Sequence, residues 1–186
     1  MQRYRKIIVL VVVLSLISAC GKNDIHRSRA TEEAAVYSAL INEQLEVPFS
    51  YLIGDPILIV NSTDYESVDD DYLYDNAPSL GKDTLEDFKE VNKEPQPLNV
   101  PLSLNKPYEY IALPSDDNGW IELSEKHPQA ISITSVSKIG FNKEFDQALV
   151  YMAYYCGNEC GLDSIYFMVR KGEIWRVEIT IGRSVS

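Results

Sequence analysis

Cys156 and Cys160, separated by three residues in YYCGNECG and each followed by glycine, are the pair in this sequence best suited to chemistry. Two thiols at such spacing can hold a metal, exchange electrons or close a loop. A structural zinc needs four ligands, and the chain offers three cysteines and only His26 and His127, so a metal would have to recruit carboxylates. No metal and no other cofactor is expected. Redox-active pairs usually take the form Cys-x-x-Cys beside a helix start; here the spacing is longer and the flanks read as strands. The choice among these roles depends on the compartment, because thiols oxidise outside the cytosol and stay reduced within it.

The other end of the chain speaks to compartment. MQRYRKIIVLVVVLSLISAC places Arg3, Arg5 and Lys6 ahead of an apolar run, the layout of an export signal. That run is shorter than the roughly 20 residues a spanning helix needs. It ends in Ile17-Ser18-Ala19-Cys20-Gly21, which resembles the lipobox of bacterial lipoproteins: an aliphatic residue, two small ones, then the cysteine that becomes the acylated N-terminus. The resemblance implies a signal peptide over residues 1–19, lipidation at Cys20, and a tethered domain. Several acyl chains, at about 0.8 kcal/mol per buried methylene, make a stable anchor. Gly21 stands where an aspartate would imply retention in an inner membrane, so the implied address is the outer membrane, facing the periplasm. Polar KNDIHRSRA, residues 22–30, reads as a flexible tether, which leaves residues 31–186 as a single domain.

With Cys20 committed to lipid, the resemblance leaves Cys156 and Cys160 as the only pair, in an oxidising compartment. The expectation is a structural disulfide closing a tight loop between two strands. A loop that short contributes on the order of 2 kcal/mol.

Charge narrows the partners. The chain carries 17 Lys and Arg against 28 Asp and Glu, a net charge of −11, and removal of the signal with its three cations and no acids takes it to −14. Nucleic acid and anionic headgroups are disfavoured. The membrane is then reached through the lipid, and a basic protein is the conceivable partner.

The elements follow from periodicity. TEEAAVYSALINEQLE, residues 31–46, reads as an amphipathic helix capped by Thr31, with Glu32 and Glu33 at the positive end of its dipole. PILIV, residues 56–60, reads as a strand buried on both faces. The acidic stretch after it, with Asp69, Asp70, Asp71 and Asp75, reads as a solvated loop, since its spacing does not fit an EF-hand. Short helices are expected over 84–91 and 120–126, and a strand over 108–112. Four strands follow, at 131–141, 147–155, 164–171 and 174–181. In the last, Trp175, Val177, Ile179 and Ile181 alternate with polar residues, as in a sheet with one wet face. Short connections favour an antiparallel meander. The fold expected is α+β, an N-terminal helix packed on a mainly antiparallel sheet with a C-terminal four-strand meander.

From Trp120 to Glu178 the pattern Gly-Phe-Asn, Ala-Leu-Val-Tyr, two Cys-Gly steps and Lys-Gly-x-x-Trp resembles a module found in bacterial secreted proteins and lipoproteins. The resemblance implies a shared fold and carries no activity.

Catalytic signatures are missing: no nucleophile elbow, phosphate loop, dinucleotide fingerprint or zinc-protease helix occurs. His127 reads as an exposed helix-end residue and not as a base. Tyr151, Tyr154, Tyr155 and Tyr166 lie near the cysteine loop and form the candidate binding surface, against the plainer reading of strand packing. No catalytic residue is assigned. The reading is a membrane-anchored binding module without catalysis; the alternatives are an inhibitor or immunity-type lipoprotein acting on a cationic toxin or cell-wall hydrolase, and a carboxylate-dependent envelope hydrolase.

Overall fold

The computed structural model of the chain describes residues 27–46, 53–65, 68–130, 132–156 and 161–185. Helix α1, Arg29–Gln44, starts two residues earlier than its periodicity suggests, because Ser28 and not Thr31 is the cap: the Ser28 hydroxyl accepts from the Thr31 amide at 3.2 Å. Its buried stripe, Glu32, Glu33, Val36, Tyr37, Leu40 and Ile41, follows the helical repeat. The two glutamates do not serve the helix dipole from solvent; they are pressed against the sheet. Glu32 accepts from Arg170 Nη1 at 2.7 Å and from Trp175 Nε1 at 2.9 Å, and Glu33 accepts from Lys138 Nζ at 2.9 Å.

Seven strands form one mixed sheet: β1 (Ile57–Val60), β2 (Tyr108–Ile111), β3 (Ile133–Val136), β4 (Gly140–Phe141), β5 (Gln147–Tyr155), β6 (Gly161–Lys171) and β7 (Ile174–Val185). Their order is β2-β1-β3-β5-β6-β7, with β4 also on β5. β1 runs parallel to both β2 and β3, and from β3 through β5 and β6 to β7 every pairing is antiparallel. This is an α+β fold ending in a strand meander. The β6–β7 turn holds Gly172 at φ 69°, the left-handed conformation that glycine adopts without strain.

Three expectations change. The strand expected over 131–141 is two, because the chain leaves the ladder at Ser137 and Lys138: Tyr37 Oη donates to the Ser137 carbonyl at 2.7 Å, and the Lys138 amide donates to Asn92 Oδ1 at 2.8 Å. The acidic loop contains helix α2, Asp70–Asn76, capped by Asp69, which accepts from the Tyr72 amide at 3.0 Å. Its acids suit a first turn, and Leu73 supplies the buried anchor. The sheet also has no wet face. A bulge opposite Phe167 and Met168 makes Glu178 the extra residue, since Val177 pairs with Met168 and Ile179 with Phe167. One added residue reverses which side the later side chains take. Trp175 and Val177 therefore pack on one face with α1, Val150 and Met168, whereas Ile179 and Ile181 pack on the other with Leu149 and Phe167.

That second face is covered in two pieces. Helices α2 and α3, the latter Lys82–Val91, lie over β5 to β7 through Leu73, Leu85 and Phe88. Helix α4, Asp117–Lys126, lies over β1 to β3 through Trp120 and Leu123.

The layers come close together at Gly140, where a Cβ would stand 2.3 Å from Phe88 Cβ and 2.5 Å from its backbone nitrogen. Gly140→Ala is expected to cost about 2–3 kcal/mol through overpacking, read as a lower urea midpoint. Gly182→Ala, with nothing within 4 Å of the added carbon, should stay within about 0.5 kcal/mol. Burial, reinforced for Tyr37 by neighbouring Glu33 and for Tyr154 by Tyr166, pushes both phenols well above their ordinary value near 10, and burial takes Tyr166 to about 12. The unfolded chain then releases these protons first. Stability is whole below pH 10 and falls as pH rises towards the folded values, so tyrosinate absorbance should lag behind that of the denatured chain and appear with unfolding.

Candidate functional site

Helix α4 contributes no buried residue, unlike the other three helices among the described residues. Asp116 starts it by accepting from the Gly119 amide at 2.8 Å, and it ends at His127, whose amide bonds the Leu123 carbonyl at 2.8 Å. The chain then turns at once, the Ala130 amide reaching the His127 carbonyl at 3.0 Å, and drops into β3. This reversal leaves a half-open cavity of about 280 Å³ between helix and sheet. Leu58 and Ile133 form its floor, with Trp120, Ile121 and Leu123 on the helix side. Its polar wall is Ser124, His127, Ser132 and Cys156.

His127 is the anomaly. Expected at an exposed helix end, it is only 8% exposed, because the turn at 127–130 folds its ring under α4. Its Nε2 is buried and has no hydrogen-bond partner. Glu109 Oε2 stands 3.7 Å away, beyond bonding distance. Lys126 Nζ, at 2.8 Å, engages the other Glu109 oxygen and through that bond holds the carboxyl below its usual range. An unpaired buried polar atom costs about 1–3 kcal/mol, and structures retain few of them. Two side chains of the cavity's polar wall are engaged elsewhere: Ser124 Oγ donates to the Ile121 carbonyl at 2.7 Å, and Cys156 is not free.

The four tyrosines do not come together as a surface. Tyr154 and Tyr166 are buried on the α1 face and Tyr151 on the opposite one, beside partly buried Tyr155. Strand alternation separates them, so the plainer packing reading holds. Tyr151 meets Tyr65 edge-on at 6.1 Å, and Tyr166 Oη meets Gln44 Oε1 at 3.3 Å. Cys20, Cys160 and the part of the expected signal and tether before residue 27 lie outside the described residues. Cys156 follows the last residue of β5 at the cavity's edge. Among the described residues no group of three or more His, Cys, Asp or Glu could hold a metal ion, and no helix is long and apolar enough to cross a membrane.

A second concavity, about 490 Å³, lies against α3 and is edged by Asp83, Glu86, Asp87 and Glu90. All four acids are already engaged, Asp83 accepting from the Lys143 amide at 3.4 Å. Asp87 takes both Arg29 guanidinium nitrogens, at 3.1 and 3.0 Å, and the Phe141 amide at 2.7 Å. Glu86 pairs with Lys82 and Glu90 with Lys93.

The Gly-Phe-Asn stretch has structural work. Gly140 admits α3, Phe141 packs 5.9 Å from Trp175, and Asn142 Oδ1 accepts from the amides of Asp146 and Gln147 at 3.0 Å each. In comparisons with known proteins, no family model, curated protein or solved structure matches the chain.

Sequence reasoning misses the cavity because its walls come from three stretches far apart in the chain, Leu58, residues 120–133 and Cys156. The one local signal is His127-Pro128, a histidine at a forced helix end. Since the ring has no bond to lose at Nε2, His127→Leu should leave thermal stability unchanged or raise it by up to about 1 kcal/mol, measured by calorimetry, whereas a histidine in the core network would show a loss.

Proposed function

We propose that the protein is a lipid-anchored, non-catalytic binding module of the bacterial cell envelope, held through Cys20 and facing the periplasm. The observation that carries the binding reading is the largely apolar cavity under α4, with the buried His127 in its wall. Concave apolar sites with a few convergent polar groups are the usual form of ligand pockets. The anchoring reading rests on the basic start, apolar run and ISAC-G of the sequence. The described helix α1 begins nine residues after Cys20, a tether long enough to reach a bilayer surface and too short to let the domain roam.

The proposal includes a Cys156–Cys160 disulfide. Supporting it, Tyr155 pairs with Gly161, so the two strands that flank the cysteine stretch lie side by side, and Cys156 is not a free thiol. The inhibitor reading draws on one observation, the acid-edged groove on α3, and implies salt-sensitive association with a basic periplasmic protein. The hydrolase reading has less behind it, since three of that groove's carboxylates are already committed to Arg29, Lys82 and Lys93.

Mass spectrometry of the protein purified from membranes of its native host should give an N-terminus at Cys20 bearing acyl groups, and two remaining sulfurs that resist alkylation until reduced. Cys20→Ala should move the chain out of the membrane fraction. A product that keeps Met1, or a C20A variant that stays membrane-bound, would sink the anchoring proposal.

A further inference from the structure

We propose that the free edge of β2 takes an extended peptide segment of another protein as an added strand, with a lysine or arginine of that segment seated in the pocket between residues 112–115 and α4. The inference goes beyond the cavity reading: it names a partner class for a second surface, and it depends neither on the cavity under α4 nor on the lipid anchor.

The backbone of β2 sets the mode of binding. The Ile57 amide donates to the Pro107 carbonyl at 2.9 Å and the Asn61 amide to the Ile111 carbonyl at 2.8 Å. Backbone direction alternates along a strand, so Pro107, Glu109 and Ile111 face β1, and the amides and carbonyls of Tyr108 and Tyr110 face away from it. β2 ends the sheet, and these four groups have no hydrogen-bond partner among the described residues. An extended backbone offers donors and acceptors at the matching repeat, which is how peptides add to open sheet edges. The edge is held ready for one: the Tyr108 and Tyr110 rings meet edge-on at 5.6 Å, and their hydroxyls bond the Leu102 amide at 3.0 Å and the Val100 carbonyl at 2.7 Å. An edge fixed in advance costs little further ordering on binding.

The opposite edge of the same sheet is closed. On β7 the Val177 amide donates to Glu43 Oε2 at 3.2 Å, and Tyr72 Oη donates to the Gly182 carbonyl at 3.1 Å. The bulge at Glu178 also breaks the repeat that a further strand needs. Among the described residues no side chain takes the outward groups of β2 in this way.

The side-chain preference follows from the pocket beside the open edge. Ala112 continues β2 by one residue, so a strand laid along β2 runs past a concavity of about 320 Å³. Leu113, Pro114 and Leu123 form its apolar wall, with Glu122 and Lys126 on the α4 side, and it shares only Leu123 with the cavity under α4. Lys126 is committed to Glu109 at 2.8 Å, whereas the exposed Glu122 carboxylate makes no ion pair or hydrogen bond among the described residues. An apolar wall ending in an unmatched carboxylate suits a side chain of methylenes ending in a cation. Leu113, 44% exposed, gives that stem its surface. A second copy of this chain is disfavoured as the occupant, since each copy brings a net charge of −11.

The test selects a random heptapeptide display library on the full-length protein in detergent micelles. Enriched peptides should be β-forming sequences carrying a Lys or Arg, and each is resynthesised with N-methyl groups on alternate residues, in either phase. One phase should weaken binding about tenfold or more, because it removes the amides that bond Tyr108 and Tyr110, and the other should leave Kd unchanged. Hydrogen exchange at the Tyr108 and Tyr110 amides should be fast in the free protein and slow in the complex. Glu122→Gln should weaken binding about two- to fivefold, as for an exposed ion pair. The proposal is overturned by a library that yields no binder, by equal binding of both N-methyl phases, by exchange at residues 108 and 110 that the peptide leaves unchanged, or by a Kd indifferent to Glu122→Gln. Protein that dimerises without peptide and protects the same amides would overturn it too, by assigning the edge to a second copy. None of these outcomes bears on acylation at Cys20 or on the cavity under α4, so those readings stand or fall separately.

Discussion

Glu32 and Glu33 are the constraint on which the packing of this domain depends. Both are under 6% exposed, and a carboxylate taken from water that completely costs several kcal/mol unless charge and hydrogen bonds replace its hydration. The replacements come from distant parts of the chain: Arg170 and Trp175 for Glu32, Lys138 and Arg29 for Glu33. Arg170 in turn holds Glu173 at 2.7 Å and the Gly172 carbonyl at 3.1 Å, so the hairpin turn is fixed by the same guanidinium. Arg29 continues the chain of contacts to Asp87 on α3. One helical turn thus ties the β6–β7 hairpin, the loop after β3 and the opposite helical layer together. Apolar burial would let α1 slide along the sheet, since it has no direction; these bonds allow one position.

The bulge at Glu178 does the corresponding work for the sheet. Without it, Trp175 and Ile181 would lie on the same side and one face would stay bare. With it, the same strand seals the α1 side with Trp175 and the α2–α3 side with Ile181. The meander is therefore a shared wall between two cores.

Much of this architecture is legible in the amino-acid order alone. The bounds of β5 and the start of β7 follow directly from strand-forming runs, and β1 is readable as doubly buried because ILIV has no polar alternation. What cannot be read is anything decided by a partner far away in sequence. Glu32 and Glu33 look like ordinary first-turn acids until Arg170 and Lys138 arrive beside them. A bulge leaves no mark in a strand whose alternation is unbroken. The tyrosines look like a cluster because they are near in sequence, yet alternation sends neighbours such as Tyr154 and Tyr155 to opposite faces. Asp69 to Asp71 suggest solvent, and the same residues make a helix start, because a capping aspartate and a hydration-seeking one are the same residue type in different company.

The contrast between the two halves of the second face explains why the candidate site is where it is. Under α3, Phe88 is fully buried, Gly140 lets backbones approach, and Asn92 closes the helix onto the Lys138 carbonyl at 2.9 Å. Under α4 the contacts are of another kind: Trp120 and Leu123 pack at the edge of its core, and Lys126 makes a surface pair with Glu109. Surface pairs contribute at most about 1 kcal/mol. The fold thus sets the bonds of α1 and α3 deep in the scaffold, whereas α4 buries no residue and lies over a half-open cavity. A buried histidine whose Nε2 has no hydrogen-bond partner stands there at a cost that the better-bonded parts of the domain offset.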